Sequence, residues 1–310
     1  MRKSSAVLAT LSLAVLALTG CTAAPTYDGA ACDRDAGDTG LRDAVSVEGD
    51  IGGSTDVEIF APVHVSSSVF ADTVVGDGRA LVDGSQGLVG QIAVYSGETG
   101  DQVFELPYDE ATTPAQSIDY WAERVPGLGD ALPCATAGSR VVAALTPEDF
   151  GPQNIAGFGM EDDDVAVVVF DVVDVLLPRA EGSLRFNDAS GMPTVVRAPD
   201  GTPGVIIPKI DAPESQVVQT LIEGEGEPLT ADQTPLVNFT AVGWADRQVI
   251  RTTWGDAPTS QFSQMAPPVA EALVGQKIGS QVLIVVPDTE NSPAMAFVID
   301  ILGTVAAPTP

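Results

Sequence analysis

The stretch VVGDG at 74–78 returns later in the chain as LIEGEG at 221–226, and this repetition decides the fold. Each copy reads as the end of an apolar strand that breaks into a glycine turn. A second strand with alternating apolar and polar residues follows in both copies, at 91–97 and 237–243. This is typical of a sheet with one buried face. The chain therefore contains an internal repeat, which predicts two copies of one β-rich unit.

A helix and its exit also occur twice. VPGLGDAL at 125–132 matches APPVAEAL at 266–273, and both are predicted to be short helices with proline in the opening turn. A Gly-Ser step after each helix opens a further strand, at 140–146 and 281–286.

The repeat closes with two long apolar strands, 165–176 and 295–302. Each carries one acid in the inward register, Asp171 and Asp300. We predict the α+β class, with two domains that each form a curled antiparallel β-sheet around one short helix.

Composition narrows the possible functions. The 310 residues suffice for two domains, and 14 basic against 43 acidic residues give a net charge of −29, which argues against nucleic-acid binding. One histidine, His64, and three cysteines are too few for a zinc site built from several of either. We predict no metal and no cofactor, and expect His64 to be a surface residue.

The N-terminus predicts export. Arg2 and Lys3 precede an apolar run at 6–18, as in a secretory signal, and LTGC at 18–21 resembles the bacterial lipobox. We predict a lipoprotein signal peptide at 1–20 and lipidation of Cys21, which would hold the chain on the extracytoplasmic face of the cell membrane. The alternative is an ordinary secretory signal with an incidental cysteine.

Composition also sets the domain boundaries. We predict a disordered tether at 21–50, a first domain at 51–178 and a linker at 179–200 with a short hairpin near Phe186. A second domain at 201–303 and a tail at 304–310 follow. Cys32 and Cys134 form a disulfide or remain unpaired thiols, since the sequence does not show whether they lie within bonding range.

The ordered set of motifs resembles a known family. The set contains the Gly-Asp-Gly turn, the Tyr-x-Gly strand end, Phe104-Glu105, the VPGL helix start, a Gly-Ser-Arg strand and PEDFG at 147–151. It is similar to the FKBP-type peptidyl-prolyl cis-trans isomerases, in particular to acidic secreted lipoproteins with two such domains. The resemblance covers roughly 51–178 and 201–303, and the second copy is degenerate.

The resemblance places the catalytic pocket in the first domain. It implies that the backbone N–H of Val125 binds the substrate carbonyl, while Leu128 replaces a family tryptophan and Val168 a phenylalanine. The alternative is that the aromatic residues belong to the core. The implied catalytic residues are Tyr95, Phe104, Glu105, Val125, Leu128 and Phe150.

The second domain departs further from the family. Arg251 stands at the position of an acid, and the chain at 287–293 is too short to supply the loop that covers the family's pocket. We expect this pocket to be inactive in catalysis and to keep a structural or binding role. Its implied lining is Phe239, Ile250, Phe262, Val269 and Phe297.

The resemblance implies a folding helper for secreted proteins that isomerises prolyl bonds without covalent chemistry. The expected partners are proline-containing secreted polypeptides and the membrane, through the lipid anchor, and we expect a monomer. The alternative is a non-catalytic FKBP-like lipoprotein that binds polypeptide or supports the envelope.

Overall fold

The computed structural model describes residues 32, 34–35, 37–186, 189–290 and 292–306. The predicted signal peptide, Cys21 and most of the predicted tail lie outside these residues. None of the described helices is long and apolar enough to cross a membrane.

The first domain consists of short helices and antiparallel strands. In chain order they are α1 (Thr39–Ala44), β1 (Val45–Glu48), β2 (Asp56–Ile59), β3 (Val69–Val74), β4 (Leu88–Ser96), β5 (Gln102–Leu106), α2 (Ile118–Arg124), α3 (Leu128–Ala131), β6 (Ser139–Leu145), α4 (Pro147–Phe150), α5 (Pro152–Gly157) and β7 (Ala166–Val175).

The second domain follows with more strands and fewer helices. Its elements are β8 (Ser183–Leu184), β9 (Thr194–Arg197), β10 (Pro203–Ile206), β11 (Val217–Glu223), β12 (Thr234–Gly243), β13 (Val249–Thr252), α6 (Phe262–Met265), α7 (Pro267–Glu271), β14 (Gln281–Val286) and β15 (Met295–Val305).

The two main sheets share one topology. The first has the strand order β3-β6-β7-β4-β5, and the second has β11-β14-β15-β12-β13 in the matching places, with β8 added beside β11. All of these neighbours pair antiparallel. The repeat read from the sequence is therefore a repeat of topology.

The helices differ from the prediction of one helix per sheet. The described residues contain α2 to α5 on one face of the first sheet and α6 and α7 on the second, and neither sheet is strongly curled. Pro126 separates α2 from α3, because proline lacks an N–H and disfavours the helical conformation of the residue before it. Gly151, at φ +97°, separates α4 from α5 in the same way, since that conformation cannot continue a helix.

Each sheet is covered on both faces. The helices pack on one face, and a chain segment that precedes the sheet packs on the other, so that long runs of β6, β7, β14 and β15 are buried. We name 37–65 the first covering segment and 192–217 the second covering segment. They pack on the outer faces of the first and second sheets, respectively.

These segments lie where a tether and a linker were predicted. Helix α1 and strand β1 fall inside 21–50, and β8 and β9 fall inside 179–200. The hairpin of this region pairs β9 with β10, whereas the Phe186 side chain is 96% exposed.

A disulfide fixes the start of the first covering segment. Cys32 and Cys134 are bonded, with their Cα atoms 5.3 Å apart. Nearby, the guanidinium of Arg34 donates to both carboxylate oxygens of Asp72 at 2.7 Å and to the carbonyl oxygen of Ala131 at 2.7 Å. The chain is thus held at the end of α3 by one covalent bond and one charged cluster.

Candidate functional site

An apolar cavity of about 600 Å³ opens in the second domain, between its sheet and helices α6 and α7. All five residues that the sequence assigned to a second pocket line this cavity: Phe239, Ile250, Phe262, Val269 and Phe297. Ala241 on β12 and Met265 on α6 extend the same apolar wall.

Three phenylalanines form its floor. Phe239 on β12 and Phe297 on β15 point from the sheet toward Phe262 on α6, with ring centroids 4.9 and 6.4 Å from that of Phe262. Phe262 is fully buried. Alternation along β12 and β15 places the two sheet phenylalanines on the helix-covered face, and α6 supplies the third ring across the gap. The floor is therefore an apolar aromatic surface.

The polar groups of the lining stand at the mouth. Gln216 donates from Nε2 to the carbonyl oxygen of Pro268 at 3.1 Å, and Thr289 donates from Oγ1 to the carbonyl oxygen of Ser292 at 3.3 Å. Arg251 on β13 is exposed. Within the described chain it is the one charged side chain of the lining, and it makes no ion pair or hydrogen bond there.

The connection between the last two strands decides whether the cavity stays open. In the second domain β14 passes to β15 through residues 287–294, whose Thr289 and Ser292 lie at the cavity edge. In the first domain the same connection, 146–165, is long enough to fold into α4 and α5. We name 146–165 the flap.

The flap fills the corresponding place in the first domain. Phe158 lies between Phe104 and Phe150, with ring centroids 5.1 and 6.0 Å away. Phe150 and Leu128 have no exposed surface, and Val125 is also buried in this cluster. Val125, Leu128 and Phe150 therefore belong to a packed core, whereas the exposed Phe104 meets that core through the ring of Phe158.

Tyr95 and Glu105 are not part of that group. Tyr95 packs with the first covering segment on the opposite face of the sheet. Ala93, which also faces that segment, has Glu105 as its register partner. The pKa of Tyr95 is raised by burial and further by the charges of Glu105 and Asp56. Side chains alternate between the faces of a strand, so the neighbour Val94 takes the inward position instead.

Register also corrects the comparison of the two domains. Asp171 pairs with Gln91 and Asp300 with Asn238, so Val94 is equivalent to Ala241, one residue away from the match read in the sequence. Val94 faces Phe104 and Ala241 faces Arg251. Arg251 therefore replaces the pocket phenylalanine and not the acid. A one-residue shift moves a side chain to the other face of a sheet, which explains the difference.

The backbone donor expected at Val125 is already used. Its N–H donates to the carbonyl oxygen of Trp121 at 2.8 Å and closes the last turn of α2. At the equivalent place in the second domain, the N–H of Ala266 donates to the carbonyl oxygen of Phe262 at 3.0 Å. Neither N–H is available to a substrate carbonyl in this conformation.

The two inward acids have different partners. Asp171 accepts a two-pronged pair from Arg140, Nε to Oδ1 at 2.6 Å and Nη2 to Oδ2 at 2.8 Å, with both residues buried. In the second domain Gln281 takes the place of that arginine and donates to Asp300 Oδ1 at 2.7 Å, while the N–H of Ala180 donates to Oδ2 at 2.8 Å. Burial raises the pKa of Asp300 to about 6.

The sequence analysis missed two residues of these sites. Phe158 lies in the flap, where IAGFGM at 155–160 concentrates apolar residues in a connection, a usable signal. Trp121 packs edge-on against Phe170 at 5.2 Å, and its indole N–H is buried without a partner among the described residues. The position of Trp121 four residues before Val125 matches that of Phe262 before Ala266, which the repeat could have revealed.

Comparisons with known proteins give matches among solved structures. No protein-family model and no curated protein matches the chain. The three FKBP domains of wheat FKBP73 match with 12% identity and a TM-score of 0.34, covering 77% of this chain and 95% of that one. AtFKBP13 matches with 18% identity and a TM-score of 0.30, covering 37% and 97%. The N-terminal domain of FKBP42 from Arabidopsis thaliana matches with 11% identity and a TM-score of 0.28, covering 41% and 98%.

Proposed function

We propose that this protein is a prolyl cis-trans isomerase that acts on secreted polypeptides, and that its substrate pocket is the cavity of the second domain. The observation that carries the proposal is the open apolar cavity above Phe239, Phe262 and Phe297. The proposal departs from the sequence-based expectation that the first domain is the catalyst, because Phe158 occupies the equivalent place there.

The chemistry asks little of the side chains. Rotation about a prolyl bond faces a barrier of about 18–20 kcal/mol that comes from amide resonance. The planar amide is charge-separated, so a dry aromatic pocket disfavours it relative to the twisted amide. The three phenylalanines supply such a surface, and no nucleophile, metal or cofactor is needed.

A second candidate is a non-catalytic module that binds prolyl segments. The occupied N–H of Ala266 favours it, since a donor for the substrate carbonyl would help to hold the twisted amide. The same cavity serves both functions. A kinetic assay separates them, because a binding module takes up the peptide without accelerating isomerisation.

The test fills the cavity in the full chain. Ala241 is buried and faces the cavity, so Ala241→Leu adds bulk where the prolyl ring would lie. We expect the catalytic efficiency on a Leu-Pro peptide to fall by about tenfold or more, which corresponds to about 1.4 kcal/mol of lost transition-state binding. Stopped-flow isomerisation kinetics measure this. The melting temperature is measured on the same variant, because Ala241 belongs to the buried cluster and added bulk there also strains packing; a rate loss beyond the unfolded fraction supports the proposal.

Phe104→Ala is the matched variant in the first domain. Phe104 is partly exposed and stands at the register position of Arg251, so its loss should leave the rate unchanged. A lower rate in Phe104→Ala with a normal rate in Ala241→Leu would return the active site to the first domain. Peptide binding without any acceleration in the wild type would favour the binding module.

We also propose that the chain is anchored through a lipid on Cys21, at the extracytoplasmic face of the membrane. The support is the LTGC sequence directly after an apolar run with two preceding basic residues. The Cys32–Cys134 disulfide is consistent with an oxidising compartment.

A further inference from the structure

Resting on the proposed function, we infer that Arg251 selects prolyl segments in which an acidic residue adjoins the proline. The preferred substrate class is then a polypeptide with Asp or Glu next to proline, and Arg251 is a specificity-determining residue. Arg251 lies beside the cavity floor, its side chain has no partner among the described residues, and no described acidic residue lines the cavity.

Position comes first. Arg251 lies on β13, an outer strand of the second sheet, and its Cα partner is Ala241 on the cavity wall. Ala241 is in turn the partner of Phe297 on the cavity floor. The guanidinium therefore originates beside the aromatic floor, at the mouth where the chain flanking a bound proline must leave.

Freedom comes second. Three other donors near the cavity are engaged, namely Gln216 Nε2, Thr289 Oγ1 and the N–H of Ala266. The side chain of Arg251 makes no hydrogen bond or ion pair with any described residue. A guanidinium presents five N–H donors in a planar fork that matches a carboxylate. A donor of this kind beside an apolar pocket is suited to one carboxylate on the bound segment.

Charge comes third. The chain has 43 acidic and 14 basic residues, yet no acidic residue lines this cavity among those the structure describes. Negative charges that lie farther from Arg251 than the Debye length, about 8 Å at physiological salt, oppose an acidic substrate only weakly. A direct contact between Arg251 and a carboxylate is much shorter than this length, so the local pair decides the preference.

The first domain provides an internal contrast. Phe104 holds the equivalent register position and packs against Phe158 of the flap. This register position therefore holds Phe104, in contact with the ring of Phe158, in the first domain and the unpaired guanidinium of Arg251 in the second. A structural role equivalent to that of Phe104 would require a partner in the second domain, and Arg251 has none among the described residues.

The experiment compares three peptides that differ only in the residue before proline, namely Glu-Pro, Gln-Pro and Lys-Pro, on the full chain at physiological salt. We expect the catalytic efficiency, or the affinity if the cavity only binds, to be about fivefold higher for Glu-Pro than for Gln-Pro, the upper end for an exposed ion pair. Lys-Pro should be poorest. Arg251→Gln should equalise Glu-Pro and Gln-Pro, and Arg251→Glu should favour Lys-Pro.

Arg247→Gln is the matched control. It removes the same charge from an exposed turn between β12 and β13 that does not line the cavity, and it should keep the preference. Loss of preference in Arg247→Gln as well would show a long-range charge effect and overturn the inference. Equal handling of all three peptides by the wild type would overturn the inference and leave the proposed function standing. Failure to act on or bind any peptide would overturn the proposed function itself.

Discussion

At the scale of single residues, the two buried acids show how one position acquires different properties. Asp171 is neutralised by Arg140, which also donates from Nη1 to the carbonyl oxygen of Gly49 at 3.0 Å. Asp300 has an amide partner in place of a cation. Removing one member of a buried ion pair leaves the other charge uncompensated, whereas neutralising a carboxylate that lacks a direct cation partner relieves a cost.

We therefore expect opposite outcomes from Asp171→Asn and Asp300→Asn. At pH 7 Asp171→Asn should lower the free energy of unfolding by about 3–5 kcal/mol, because Arg140 is left buried without its partner. The pKa of Asp300 is raised from 3.8 to about 6, so the folded state holds its proton more tightly and stability from this group is lost as pH rises between these values. The stability of Asp300→Asn relative to the wild type should therefore rise by about 2.4 kcal/mol from pH 4 to pH 7.

Urea unfolding at the two pH values measures both effects. Both carboxylate oxygens of Asp300 accept from N–H donors, so the asparagine NH2 group must face one of these donors. This lowers the stability of Asp300→Asn equally at both pH values, and the change between them isolates the titration of Asp300. A difference between Asp300→Asn and wild type that stays constant from pH 4 to pH 7 would show that Asp300 does not titrate in this range.

At the scale of elements, the flap separates a filled pocket from an open one. It contributes Ile155, Phe158 and Met160 to the apolar cluster of the first domain. The short connection at 287–294 leaves the second cavity accessible. In the sequence this short connection indicated the loss of a covering loop. In the structure the same connection leaves the site open.

The corresponding prediction is that Phe158→Ala opens a site in the first domain. In a chain that carries Ala241→Leu, this change should restore part of the binding of a Leu-Pro peptide, because Phe104 and Phe150 lose the ring between them. Isothermal titration measures the recovery. Ile155→Ala is the control, since it shortens a buried flap side chain that is not aromatic. Equal recovery in both variants would indicate general loosening of the flap, and no recovery would mean that the first domain has no latent pocket.

Elements with strong sequence signals were predictable. The Gly-Ser steps and long apolar runs located β6, β7, β14 and β15, and the family resemblance named five residues that line the second cavity. The face of Tyr95 follows from alternation along β4, because Ile92 and Val94 face the helices while Ala93 and Tyr95 face the first covering segment; the family resemblance pointed to the other face. The occupied N–H of Val125 depends on where α2 ends, which sequence patterns fix poorly.

At the scale of the whole molecule, the repeat is longer than its motifs. Each sheet has a covering segment that buries its outer face. The first part of each segment, 37–50 and 192–200, was assigned to the tether or the linker because of its composition. The unbroken apolar runs of β7 and β14 carried the missing information. Strands buried on both faces show such runs, whereas strands with one buried face alternate. The two domains therefore extend into the predicted tether and linker.

Membrane attachment is also a property of the whole molecule. If Cys21 carries the lipid, Cys21→Ser should move the protein from the membrane fraction to the medium, or leave it unprocessed, because acylation needs the thiol. Detergent phase partitioning and fractionation measure this. The double variant Cys32→Ser with Cys134→Ser is the control, because it removes the disulfide and keeps the LTGC sequence. Unchanged partitioning of Cys21→Ser would rule out the anchor.

The disulfide limits how far the folded domain could lie from a lipid on Cys21. From Cys21 to the fixed point at Cys32 the chain has 32 − 21 = 11 residue steps, which span at most about 40 Å when fully extended. A folded domain of about 130 residues is itself roughly 35 Å across. With a lipid on Cys21, the folded domain would stay within about one domain diameter of the membrane surface. It would then meet secreted polypeptides as they emerge at that surface.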